Sequence, residues 1–119
     1  MLIVARDPDL RDAVREIAED IGFDARSVGS CAEARVVEHG LSLAFVDVGL
    51  EPAEAGALLA DLAARDSAPA IVLCSDRPAG ARLAERFGVV SIRKPFDVDE
   101  LVDASDLALR ERRRPRLAG

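Results

Sequence analysis

Residues 43–47 read Leu-Ala-Phe-Val-Asp. Four consecutive apolar residues closing on a carboxylate, with no polar alternation, describe a strand covered on both faces, as in a parallel sheet. Runs of the same kind stand on either side: Leu2-Ile3-Val4-Ala5 before it, and Ala70-Ile71-Val72-Leu73-Cys74 and Val89 to Ile92 after it. Phe23 to Val28 alternates enough to be a strand nearer an edge. Between the runs the spacing turns helical. Asp7-Pro8 pairs an N-cap with a proline at the first helical position. Leu10, Ala13, Val14, Ile17, Ala18 and Ile21 then follow on one face and stop at Gly22. Ser30 and Glu33 have capping-box spacing and open a short helix that should finish near His39-Gly40. Residues 53–65 and 79–87 read as helices. Asp97 and Glu100 again have capping-box spacing, ahead of a last helix with Leu101, Val102, Ala104, Ser105, Ala108 and Leu109 on its inner face.

Five βα units with buried strands imply a parallel sheet with helices on both faces, because right-handed crossovers place them there. A barrel would need eight units and about twice the length. The expected fold is therefore α/β, a flavodoxin-like doubly wound (βα)5 three-layer sandwich with sheet order 2-1-3-4-5. The 119 residues suit one domain. Half of them are hydrophobic, which excludes a disordered chain, and only four are aromatic, all Phe, so the core must be aliphatic.

Composition removes several function classes. The net charge of −6 and the lack of Trp and Tyr argue against direct nucleic-acid binding, and the charge also argues against an anionic membrane surface. No apolar run approaches a membrane span. The opening residues MLIVARDPD pass from strand straight to charge, with no signal-peptide pattern, so a cytoplasmic location is expected. Cys31 and Cys74 are too few for a disulfide scaffold or a zinc site. The single histidine, His39, lies in a helix-end pattern, which leaves Ser-His-Asp and Cys-His catalysis without a base. Of sixteen basic residues fifteen are Arg, and the one lysine is Lys94.

In an open α/β sheet, ligands bind beyond the carboxyl ends of the strands. No glycine-rich phosphate loop follows any strand here, which weakens nucleotide and flavin readings. What remains is Asp47 at the end of the third strand and Lys94 at the end of the fifth. Alone, Asp47 could be a turn residue and Lys94 a solvated one. The Lys94-Pro95 peptide is of the type that can be cis, although trans predominates.

With Asp47 ending its strand, the Lys94-Pro95-Phe96 triplet, Pro69 before the fourth strand, Gly56 and the Asp-Pro-Asp-Leu opening of the first helix, residues 2 to about 109 resemble a response-regulator receiver domain. The resemblance implies a regulatory phosphoacceptor rather than a turnover enzyme. Asp47 would accept a phosphoryl group from a histidine kinase or phosphotransfer protein, and Lys94 would pair first with Asp47 and then with the phosphoryl oxygens. It also implies a Mg²⁺ site built from Asp47, the Gly49 carbonyl and acids at the end of the first strand.

The chain departs from that pattern at several positions. Ala5 and Arg6 stand where two adjacent acids are usual, and the nearest acid, Asp7, is expected to cap its helix. A dication about 5 Å from an inward-pointing Arg6 would be repelled by roughly 6 kcal/mol, so the Mg²⁺ site should be weak or absent. Cys74 replaces the usual hydroxyl at the end of the fourth strand, with Ser75 one residue later. Ser91 replaces the aromatic switch residue. The loop after Asp47 is one residue longer, with Pro52 and Gly56 displaced. These changes imply an atypical receiver in which Arg6 pairs with Asp47 and locks one state, acting through contacts with a downstream protein. The alternatives are a conventional phosphoacceptor and a small ligand-binding flavodoxin-like module.

Residues 110–119 hold five arginines and one acid, leaving 11 bases and 21 acids, a net −10, in residues 1–109. This arginine-rich C-terminal tail reads either as a helix end suited to its dipole or as an arm for an acidic partner or a second copy in a homodimer.

Overall fold

The computed structural model describes residues 1–37, 41–47 and 52–113. Its elements alternate throughout: β1 (Leu2–Val4), α1 (Pro8–Asp20), β2 (Arg26–Val28), α2 (Cys31–Arg35), β3 (Leu43–Asp47), α3 (Pro52–Ala63), β4 (Ala70–Ser75), α4 (Pro78–Phe87), β5 (Val90–Arg93) and α5 (Val98–Arg113). All strand pairs are parallel and the sheet order is β2-β1-β3-β4-β5, as the apolar runs imply. All five residues of β3 are buried, whereas β5, at the edge, alternates half-buried and exposed residues.

Two-residue side-chain alternation splits the core into two layers. Leu2, Val4, Ala44, Val46, Ile71 and Leu73 face α2, α3 and α4. Ile3, Leu43, Phe45, Val72 and Cys74 face α1 and α5. Phe45 is fully buried and its ring lies 6.0 Å from that of Phe96.

The ends of the elements follow local chemistry. Asp7 caps α1, its Oδ1 accepting from the Asp9 amide at 3.0 Å. Gly22, with φ +98°, supplies the left-handed residue that turns the chain out of α1. β2 is shorter than its sequence pattern suggests. The Phe23 amide bonds back to the Ala18 carbonyl at 2.9 Å, so Phe23 belongs to the helix exit. α2 also ends early, at Arg35, and its expected end at His39-Gly40 lies outside the described residues. Arg65, from beyond α3, donates to the Val37 and Arg35 carbonyls at 3.2 and 3.3 Å and so satisfies the backbone that leaves this short helix. At the other end of the chain α5 continues to Arg113, through the first arginines of the tail, and Arg112 donates to the Ser42 carbonyl at 3.0 Å. Arg114 and Arg116 lie outside the described residues.

Candidate functional site

Asp47, Cys74 and Lys94 continue the alternation of Phe45, Val72 and Ile92, so all three project from the α1/α5 side of the sheet at its carboxyl edge. The β3–β4 register places Asp47 beside Cys74. The Lys94 amide donates to the Ser75 carbonyl at 3.1 Å, which fixes the backbone just past β5. From there Lys94 Nζ reaches Asp47 Oδ1 at 2.8 Å. The Asp47 side chain is only 5% exposed and that of Lys94 27%, so this pair is screened far less than a surface one. Burial works against the ammonium, but the hydrogen bond and charge of Asp47 outweigh it and raise the Lys94 pKa above the ordinary lysine value. The Lys94-Pro95 peptide is cis, the rarer of the two forms.

Cys74 is fully buried. Desolvation, reinforced by the charge of Asp47, pushes its thiol up to about 12. It is a neutral neighbour of the carboxylate, a weak donor where a hydroxyl would be a strong one. Ser75 behaves differently from the sequence expectation. It continues the opposite alternation, that of Leu73, and faces α4. Its Oγ accepts from the Arg77 amide at 3.0 Å and donates to the Arg77 carbonyl at 3.1 Å. A side chain at Gly80 would run into it. Ser75 therefore shapes the entry to α4 and does not converge on Asp47. Ser91 lies exposed on β5 opposite Leu73, with no ring to swing.

β1 runs beside β3 with Val4 paired to Val46, so Ala5 and Arg6 leave the sheet alongside Asp47. Ala5 is fully buried, while Arg6 is exposed and forms no ion pair with Asp47 among the described residues. At Cys31, burial and then Glu54 push the thiol pKa up, and Arg35 and, least of all, Arg6 oppose them. The direct Arg6–Asp47 lock expected from sequence is thus not the arrangement present. Lys94 takes the carboxylate.

Sequence reasoning also missed two neighbours. Arg11 donates to the Ala5 carbonyl at 3.2 Å and packs where a side chain at Gly29 would otherwise stand. It therefore braces the β1 exit from within α1. Asp76, just past β4, adds negative charge felt by both Cys74 and Lys94. Its place in the Cys74-Ser75-Asp76 strand end was the available signal.

These donors do not suit Mg²⁺, which takes oxygen ligands and usually one or two free carboxylates. Asp47 is already held by Lys94, Asp7 is turned to its own helix, and the β1 exit offers a methyl and a cation. Gly49 lies outside the described residues. No group of three His, Cys, Asp or Glu able to hold a metal occurs among the described residues. No helix among them is long and apolar enough to cross a membrane.

No family model and no curated protein matches the chain. Solved structures do. A sensor protein from Polaromonas sp. JS666 is 25% identical with a TM-score of 0.79, over 93% of this chain and 95% of that one. A CheY-like response regulator receiver domain protein from Methanospirillum hungatei JF-1 is 21% identical with a TM-score of 0.79, over 93% of each chain. NtrX from Brucella abortus, solved with ADP, is 28% identical with a TM-score of 0.78, over 93% of this chain but only 26% of that one.

Proposed function

We propose that this chain, a response-regulator receiver domain by its fold, is an atypical receiver of two-component signalling that works chiefly through protein contacts and is phosphorylated at Asp47 weakly or not at all. The observation that carries the reading is the contrast at one edge of the sheet. The Asp47–Lys94 pair is in place at 2.8 Å, while the β1 exit beside it presents Ala5 and an exposed Arg6. Transfer of a phosphoryl group to Asp47 Oδ1 would concentrate negative charge there, and such charge needs fixed cations and donors. Lys94 is one. The thiol of Cys74 is a poor second, and the carboxylates that would bring a metal are missing. The domain regulates rather than turns over substrate. Its partners are a histidine kinase or phosphotransfer protein and a downstream protein, in the cytoplasm.

A conventional phosphoacceptor is the second reading, and the intact Asp47–Lys94 pair favours it. The two are separated by titrating the chain with Mg²⁺ and beryllofluoride while following backbone amide shifts. The atypical reading expects no saturable movement around Asp47, Cys74 and Lys94 at millimolar Mg²⁺. Saturable shifts at all three would replace it with the conventional one.

A further inference from the structure

A groove of about 620 Å³ opens at the amino edge of the sheet, the edge opposite the Asp47–Lys94 pair. The starts of β4 and β5 line it, together with the last turns of α3, α4 and α5. Leu59, Phe87 and Val89 give it an apolar surface, and Phe87 and Val89 are only half-buried. Its volume falls in the range of small-ligand sites.

The charge of this groove is negative. Asp66 and Glu111 belong to its lining, both exposed, and neither forms an ion pair among the described residues. The carboxyl ends of three helices add the partial negative charge that a helix carries there. The cation among the lining residues is Arg112, and its guanidinium is engaged, donating to the Ser42 carbonyl at 3.0 Å. α5 brings the chain to this rim and ends at Arg113. The next residues are Arg114-Pro115-Arg116-Leu117-Ala118-Gly119. Pro115 disfavours helical geometry at the residue before it, so α5 does not simply carry these arginines past the groove.

We propose that the groove is a peptide site and that its occupant is the chain's own segment 114–119, folded back from the end of α5. Arg114 and Arg116 then lie against Glu111 and Asp66, and Leu117 covers Phe87 and Val89. The chemistry matches on both sides. The segment offers two cations and one branched apolar side chain, and the groove offers two acids and an apolar surface. Reach is sufficient as well, since six extended residues span about 20 Å and the first of them leaves α5 at the groove itself. Tethering favours this segment over any free cationic peptide, because an attached segment meets its site at an effective concentration on the order of millimolar. The arginines that stand apart from an acidic body thereby gain a partner within the same domain. This assignment does not depend on whether Asp47 takes a phosphoryl group.

The test places a nitroxide on the full chain through Ala118→Cys and reads the broadening of backbone amide signals. Cys31 and Cys74 are buried, which leaves position 118 as the accessible thiol. The amides of Ser67, Gly88 and Val89, all on the groove, should broaden. In that labelled chain, Asp66→Arg should lower the occupied fraction by roughly two- to five-fold, as for exposed ion pairs, and relieve the broadening. Arg114→Glu with Arg116→Glu should do the same, as should added salt. Combining Asp66→Arg with Arg116→Glu should restore it, with circular dichroism confirming that each variant is folded. The proposal is overturned if the three amides broaden no more in the labelled chain than in these weakened variants, or if the swapped pair recovers nothing over D66R. A mixture of nitroxide-bearing chain and isotope-labelled chain without nitroxide should show no broadening. Broadening there would put the segment of a second copy in the groove and would equally overturn the proposal.

Discussion

The exits of β1 and β3 lie side by side, and they have been treated in opposite ways. Below their tips the two strands are alike. Leu2, Ile3 and Val4 are fully buried, as are Leu43, Phe45 and Val46, and each strand feeds both core layers. At the tips they part. β3 ends in a buried carboxylate held by Lys94, whereas β1 ends in a buried methyl and an exposed guanidinium. Folding constrains the apolar residues that fill the two layers and leaves the residues just past them nearly unconstrained. A sheet can therefore keep its architecture while part of its carboxyl-edge chemistry is exchanged.

The equality below the tips is the first thing to break. Ile3→Ala and Phe45→Ala each remove a fully buried side chain and should each cost about 2–5 kcal/mol in urea unfolding. If Ile3→Ala cost under about 1 kcal/mol, well below the usual cost of such a deletion, β1 would not be the equal of β3 and the contrast would extend into the core.

A smaller effect should come from the site itself. Lys94→Ala removes the ammonium bound to a carboxylate that is 5% exposed, at a cost of about 1–3 kcal/mol at pH 7. The pH dependence has a definite sign. The folded pKa of Lys94 is raised above 10.5, so its contribution is complete below that value and disappears as pH rises through the folded pKa. Wild type should therefore lose part of its margin over Lys94→Ala at strongly alkaline pH. A margin unchanged across that range would mean that the ammonium is not what holds Asp47.

Much of this was legible in the sequence because it depends on local patterns. Continuous apolar runs imply parallel strands, the count of five units implies the sheet order, and Asp47 and Lys94 sit at strand ends that the runs themselves locate. What was not legible depended on one-residue boundaries or on long reach. Whether Ser75 faces Asp47 turns on alternation within β4, which runs through Ser75 and sends it to the α4 side. Arg65 and Arg112 reach carbonyls 28 and 70 positions away in sequence, and no spacing rule marks them.

The smallest stability change is expected at Arg6, and it bears most directly on the contrast between the two exits. Arg6 is exposed and holds no ion pair with Asp47, so Arg6→Asp should alter stability by about 0.5 kcal/mol or less without metal. Its effect on cations should be larger. The substitution removes a positive charge and adds a negative one beside Asp47, giving a second carboxylate of the kind Mg²⁺ needs. Isothermal titration calorimetry should then detect Mg²⁺ binding to Arg6→Asp that is tighter than to wild type, with the difference shrinking as salt is added. Equal affinity in the two proteins would mean that the β1 exit does not set the metal preference of this edge. The cause would then lie with Lys94, whose hold on Asp47 is the same in both.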